Sequence, residues 1–239
     1  MFLVASWVMT WGEILPLCHK VMKETYFSVS FFPARLGKTI QIVSFLRGLF
    51  HSAEARHVLI VMPLALLENW KREFETWLVN DPSNRTNTNK QQAHRLVLRC
   101  RYPDMRVKII HGQGGKKFKD LETVQKKGGV CLTTYGLVRS NSDKLTMNGK
   151  HSWSYVILDE GHLIKNPSCQ VSKILRDIPA EHRIILSGTP VQNNLREFWT
   201  LFDFISQGVL FGTSRDFKEQ FENDIVKVRP ASPKKQSRT

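Results

Sequence analysis

The chain has 239 residues, 41% of them hydrophobic and 23% charged, which is too apolar for a disordered polymer and sized for one substantial domain rather than a two-lobed machine. Its 35 Lys+Arg stand against 21 Asp+Glu, and the resulting +14 points to a polyanionic partner, nucleic acid before any other. Four scattered cysteines without a C-x-x-C pair argue against a disulfide scaffold or zinc module and for a reducing compartment, while the uncharged opening Met1–Gly12 falls short of the roughly 20 residues of a membrane helix and lacks the basic start of a signal peptide.

Residues 1–25 give no fold reading. The run Phe27–Pro33 reads as a strand leading to Gly37-Lys38-Thr39. From there strands and helices alternate. Apolar runs at His57–Met62, Arg106–His111, Val130–Tyr135, Tyr155–Leu158 and Arg183–Leu186 suit strands covered on both faces. Helical patterns fill Thr39–Phe50, Leu67–Leu78, Lys116–Lys127, Ser168–Asp177 and Leu195–Ile205, and the spacing of Trp70, Trp77 and Trp199 predicts core packing for all three. The alternation predicts an α/β domain with a mostly parallel sheet flanked by helices. Asn80–Gln92, rich in Asn and Thr, reads as a flexible surface loop. Charge is uneven: residues 80–129 hold 12 basic and 4 acidic side chains, and residues 226–239 hold five basic and none acidic, the latter reading as a disordered tail.

Three stretches carry chemistry. Gly37-Lys38-Thr39 precedes an amphipathic helix, the setting in which backbone N–H groups cradle phosphates, a lysine reaches the β/γ-phosphates and a hydroxyl ligates magnesium. Asp159 and Glu160 follow the apolar run Tyr155–Leu158, where α/β sheets bind ligands; the first carboxylate would hold magnesium and the second would orient and deprotonate a water attacking a γ-phosphate. Equally, Asp159 could cap the segment after it. The third stretch, Ser187-Gly188-Thr189-Pro190-Val191-Gln192, offers hydroxyls at a strand end to sense phosphate, or simply a turn and helix cap.

The ordered segments GKTIQ, VLIVMPLALLENWKREFETW, CLTTYGLV, YVILDEGHLIKN and RIILSGTPVQNNLREFWTLFDFI resemble the SWI/SNF-type DNA translocases of helicase superfamily two, from Leu36 to about Ile225. Within the family the chain is most similar to the Cockayne-syndrome-B group, including its relative at mitotic DNA bridges, and DEGH in place of DEAH favours that neighbourhood or the recombination translocases. The resemblance implies a RecA-like P-loop lobe that uses ATP and magnesium, tracks double-stranded DNA or remodels chromatin, and works in the nucleus, an address that Pro233-Lys234-Lys235 is too short to establish. It implies ATP binding by Gly37, Lys38 and Thr39, hydrolysis by Asp159 and Glu160, and magnesium on Thr39 and Asp159. It implies coupling of nucleotide to DNA by His162, Ser187, Gly188, Thr189 and Gln192. The DNA path would run past Pro63, Asn69, Trp70, Thr133, Thr134 and Tyr135.

Two features depart from the family pattern. The family loop reads roughly D-x-M-G-L-G-K-T, whereas here it reads Phe32-Pro33-Ala34-Arg35-Leu36-Gly37-Lys38-Thr39, with Arg35 where a glycine stands and Pro33 removing an N–H donor. No counterpart of the adenine-recognition segment is found upstream. A second RecA-like lobe, which completes the family's site with arginines, has no room after residue 225. The expected organisation is therefore an atypical segment 1–35, an ATP-binding lobe 36–225 and a tail 226–239, as a fragment, splice product or imperfect gene model of a longer translocase. A nucleotide-incompetent DNA- or partner-binding module with the same fold remains the alternative. SGTPVQNN and LFDFI argue against an unrelated P-loop kinase.

Overall fold

The computed structural model of the chain describes residues 28–31, 37–79, 105–112, 115–146, 152–187 and 195–222. The expectations for residues 1–25, the loop residues 32–36, the Asn80–Gln92 loop, the 188–194 turn and the 226–239 tail lie outside them.

Six strands form one sheet: β1 (Ser28–Phe31), β2 (His57–Met62), β3 (Val107–Ile110), β4 (Gly129–Thr134), β5 (Trp153–Asp159) and β6 (Ala180–Ser187), in the order β1-β6-β5-β2-β4-β3. Every neighbouring pair runs parallel, so each connection must cross over the sheet, and helices do the crossing. The crossing helices are α1 (Lys38–His51), α2 (Leu67–Val79), α3 (Lys116–Lys127), α4 (Tyr135–Ser140), α5 (Ser142–Leu145) and α6 (Gln170–Asp177); α7 (Leu195–Ser206) and α8 (Ser214–Phe217) follow β6. The central strands are buried on both faces, which is why they read as unbroken apolar runs rather than alternating ones. β3, at the sheet edge, buries only Ile110 fully and is shorter than its apolar run.

Side-chain alternation sorts the core into two layers. Val58, Ile60, Met62, Ile157, Ile184 and Leu186 pack with Val43 and Leu46 of α1 and Trp70 and Phe74 of α2. Leu59, Val61, Val156, Leu158 and Ile185 pack instead with Val138, Leu175, Leu201 and Phe204 of the helices on the opposite face. A separate aromatic cluster of Trp199, Phe211 and Phe217, with Phe198 and Phe202 against it, joins α7 to α8. The Thr213 hydroxyl and Asp216 carboxylate cap α8 reciprocally.

Core packing holds for Trp70 and Trp199, which are 1% and 6% exposed, but not for Trp77 at 39%. The Trp77 indole turns outward and donates to Glu73 Oε2 one helical turn back, at 2.8 Å.

Candidate functional site

The register places the ends of the strands level with one another. Met62 pairs with Thr134, Leu158 lies one residue short of Asp159, and Ser187 pairs with Phe31. Pro63, Tyr135, Glu160 and Ser187 therefore stand along the carboxyl edge of the sheet, where a parallel α/β sheet gathers ligand-binding groups.

Gly37 stands as the N-cap of α1 at φ 66°, the left-handed region that favours glycine, and a Cβ there would come within 2.9 Å of Ile40 Cγ2. The helix then begins with Lys38 and Thr39. The Lys38 ammonium reaches across to β5, 3.3 Å from Glu160 Oε1 and 3.9 Å from Asp159 Oδ1, so the loop lysine and the acidic pair, 121 and 122 residues apart, form one cluster. Asp159 is 4% exposed. Burial pushes its carboxyl upward; the Trp70 indole and Lys38 oppose that, and Glu160 adds to it. Its oxygens are held by the Trp70 Nε1–H at 2.7 Å and the Glu160 N–H at 2.9 Å, and its backbone carbonyl accepts the Tyr135 hydroxyl at 2.8 Å. Tyr135 lies deep enough that burial, and secondarily the two carboxylates, raise its phenol well above the ordinary range.

Glu160 sits at φ 53°, ψ 49°, a left-handed conformation that costs a non-glycine residue on the order of 1–2 kcal/mol. That turn lifts its carboxylate off the strand, toward Lys38 on one side and His162 on the other. His162 Nδ1 is 3.2 Å from Glu160 Oε2, though not aligned for a hydrogen bond. Gly161 explains the DEGH spelling. A Cβ there would lie 2.3 Å from Cγ2 of Ile185, which is fully buried in β6. Gly161→Ala is expected to cost about 1–3 kcal/mol by overpacking, seen as a lower urea midpoint, and to cost less than additively when combined with Ile185→Ala. A neutral Gly161→Ala would show that the close approach does not constrain the turn.

Asn69 lies beside the start of α1. With Glu73 and Trp77, at i, i+4 and i+8 on one face of α2, it lines a pocket of about 310 Å³ shared with Gly37, Lys38, Thr39 and Ile40. Thr133 and Thr134 are buried; the first donates to Ile110 O at 3.0 Å and the second caps α4. Ser187 is also buried, whereas Gly188, Thr189 and Gln192 lie outside the described residues. Lys165 pairs with Glu197 at 2.9 Å, tying the turn after Glu160 to α7. Sequence reasoning missed the Trp70–Asp159 bond. The one signal for it is general: a buried indole N–H needs an acceptor.

Among the described residues no group of three or more His, Cys, Asp and Glu side chains is arranged to hold a metal by itself. Magnesium takes one or two protein oxygens and keeps the rest for water and phosphate, so a hydroxyl and a carboxylate from Thr39 and Asp159 fit that ion.

The SNF2-related domain family model matches residues 34–238. Two relatives, both named DNA excision repair protein ERCC-6-like, are 45% identical in Danio rerio and 42% in Bos taurus, each over 197 residues and 81% of this chain. The chain spans only 12% and 14% of their own lengths. Among solved structures, the Sulfolobus solfataricus SWI2/SNF2 ATPase core in complex with dsDNA has a TM-score of 0.64 at 22% identity, covering 94% of this chain and 41% of that one. The likeness extends to the RecA-like fold.

Proposed function

The chain belongs to the SNF2-related domain family, and from that premise we propose that it is the first RecA-like lobe of an ATP-driven translocase on double-stranded DNA, acting in the nucleus. The observation that carries this is the Lys38 ammonium held between Asp159 and Glu160 at the carboxyl edge of the sheet. A phosphate chain at the α1 N-terminus would meet unpaired backbone N–H groups and the positive end of the helix dipole. Lys38 then exchanges its carboxylate partners for phosphate oxygens, which releases the acidic pair. Thr39 and Asp159 would hold magnesium, which supplies neutralisation of charge on the β- and γ-phosphates. Glu160, raised off the strand by its left-handed turn, is placed to orient and deprotonate water, with His162 Nδ1 3.2 Å from its other carboxylate oxygen.

On the DNA side, Pro63 and the Thr133–Tyr135 corner form the carboxyl edge, with Thr133 and Thr134 shaping backbone rather than presenting side chains. Asn69 opens onto the nucleotide pocket and could read either ligand. Lys117 and Lys119, in the first turn of α3 after the carboxyl end of β3, add cationic surface on that side of the sheet. Such contacts go to phosphates and carry no sequence preference. Log affinity for duplex DNA is therefore expected to fall linearly with log salt, by close to one unit of slope per phosphate contacted. Reversing Lys117 and Lys119 to glutamate should flatten that slope. A slope near zero in the unaltered chain would remove the phosphate-contact reading.

A second reading keeps the fold and the DNA surface without nucleotide. Arg35 and Pro33 in the loop favour it. A saturable, magnesium-dependent ATP-binding isotherm from the purified chain separates the two.

A further inference from the structure

Trp70 lies in the first turn of α2, fully enclosed in the layer between α2 and the sheet, with the Phe74 ring 6.1 Å away. Packing alone would be served by the rings and by any carbonyl accepting the N–H. Instead the indole N–H ends on the carboxylate of Asp159, 89 residues further on, at 2.7 Å from Oδ2. The other oxygen, Oδ1, accepts the Glu160 N–H at 2.9 Å and is the one that faces Lys38, at 3.9 Å. Two donors, one on each oxygen, the indole held by α2 and the Glu160 N–H by the turn that ends β5, fix the rotation of the carboxylate. Oδ2 is turned to the protein and Oδ1 to the phosphate loop. Charge-assisted bonds of this length are the strong ones, and buried ones are the costliest to lose.

We infer that Trp70 is a positioning residue: its indole N–H clamps the Asp159 carboxylate so that Oδ1 is presented to the divalent ion that accompanies the nucleotide. The inference rests on reading this cluster as a magnesium-nucleotide site. Outer-layer partners of a metal-binding carboxylate usually matter through orientation, and their removal typically costs about 10–100-fold in metal affinity.

Trp70→Phe keeps an aromatic ring and deletes the donor. Titrating ADP into the full chain with EDTA should give wild-type affinity within about twofold, because the lysine and the helix terminus are untouched. The magnesium concentration for half-maximal strengthening of ADP binding should rise by about 10-fold or more. An unchanged magnesium midpoint in a variant that melts like wild type would overturn the inference. If Trp70→Phe does not fold, the indole N–H resonance of Trp70 in the unaltered chain decides instead. It should move when magnesium is added to the ADP-saturated protein and not when ADP is added alone; indifference to magnesium overturns the inference. If the unaltered chain binds no ADP at all, the nucleotide reading fails first. Manganese alone is then the probe: it should broaden the Trp70 indole resonance, and lose that effect in Asp159→Asn. No broadening overturns the inference.

Discussion

Lys38→Ala is expected to weaken MgATP binding by about 10–100-fold, the loss that follows from deleting charge-assisted bonds worth about 1.5–3 kcal/mol. The same change disturbs the protein without nucleotide. Lys38 is the cation between Asp159 and Glu160, with its side chain 10% exposed and theirs 5% and 24%. Removing it leaves two neighbouring carboxylates facing each other in a partly dry site. Removing one partner of a fully buried pair costs about 3–5 kcal/mol; with Glu160 a quarter exposed, water screens part of that, and about 1–2 kcal/mol is expected here. Lys38→Arg separates the two effects. It restores the cation, so stability should return, while the bulkier planar head fits the phosphate cradle poorly and binding should stay weak. Full ATP affinity in Lys38→Ala would place the nucleotide elsewhere.

The second large effect is structural and lies away from the Lys38 cluster. Arg183 of β6 is 3% exposed, and its guanidinium donates to the carbonyls of Leu175 at 2.9 Å, Arg176 at 3.1 Å and Ile178 at 2.6 Å. These are carbonyls at the C-terminus of α6, left without helical partners by the end of the helix. Burial lowers the Arg183 pKa to about 10, which still leaves it charged at neutral pH, and its head lies 4.9 Å from the Phe204 ring centre in α7. One side chain thus satisfies a helix terminus and joins it to β6 and α7. Arg183→Leu has the right hydrophobicity for the layer but orphans three carbonyls, so a stability loss of about 3 kcal/mol or more is expected from urea unfolding. Arg215→Leu is the comparison. Arg215 is 87% exposed at its side chain and pairs with Glu219 on the protein surface, and its loss should fall within about 0.5 kcal/mol of neutral. Equal effects at the two arginines would contradict the role of Arg183 at the α6 terminus.

Much of this architecture is legible in the residues, for physical reasons that also explain the exceptions. The central strands announce themselves because both their faces are buried, so HVLIVM and YVIL carry no polar alternation. β3 is overread because an edge strand needs less apolar length. α3 starts and stops where its pattern does, whereas α6 begins at Gln170, after Cys169 in extended backbone as its N-cap. For the site, the GKT and DEGH motifs identify the lysine and the carboxylates, and parallel topology requires them to share an edge. The direct pairing of Lys38 with both carboxylates needs coordinates. So does the role of Trp70: periodicity places it in the core correctly, but says nothing about where its N–H ends. Trp77 shows the limit of the same rule. Seven residues after Trp70 it returns to nearly the same side of the helix, yet its indole bends outward to Glu73 and the pocket rim. Gly161 reads as a spelling variant until Ile185 shows why a methyl has no space.

Whether this lobe holds nucleotide is decided by equilibrium binding of MgATP to the unaltered 239-residue chain, measured beside a chain carrying Pro33→Gly and Arg35→Gly. Saturable binding by the unaltered chain, abolished or strongly weakened in Lys38→Ala and little changed by the two loop substitutions, is the predicted result. Binding that emerges only with the glycines in place would contradict it, leaving a DNA-binding module with a RecA-like fold and a silent nucleotide site.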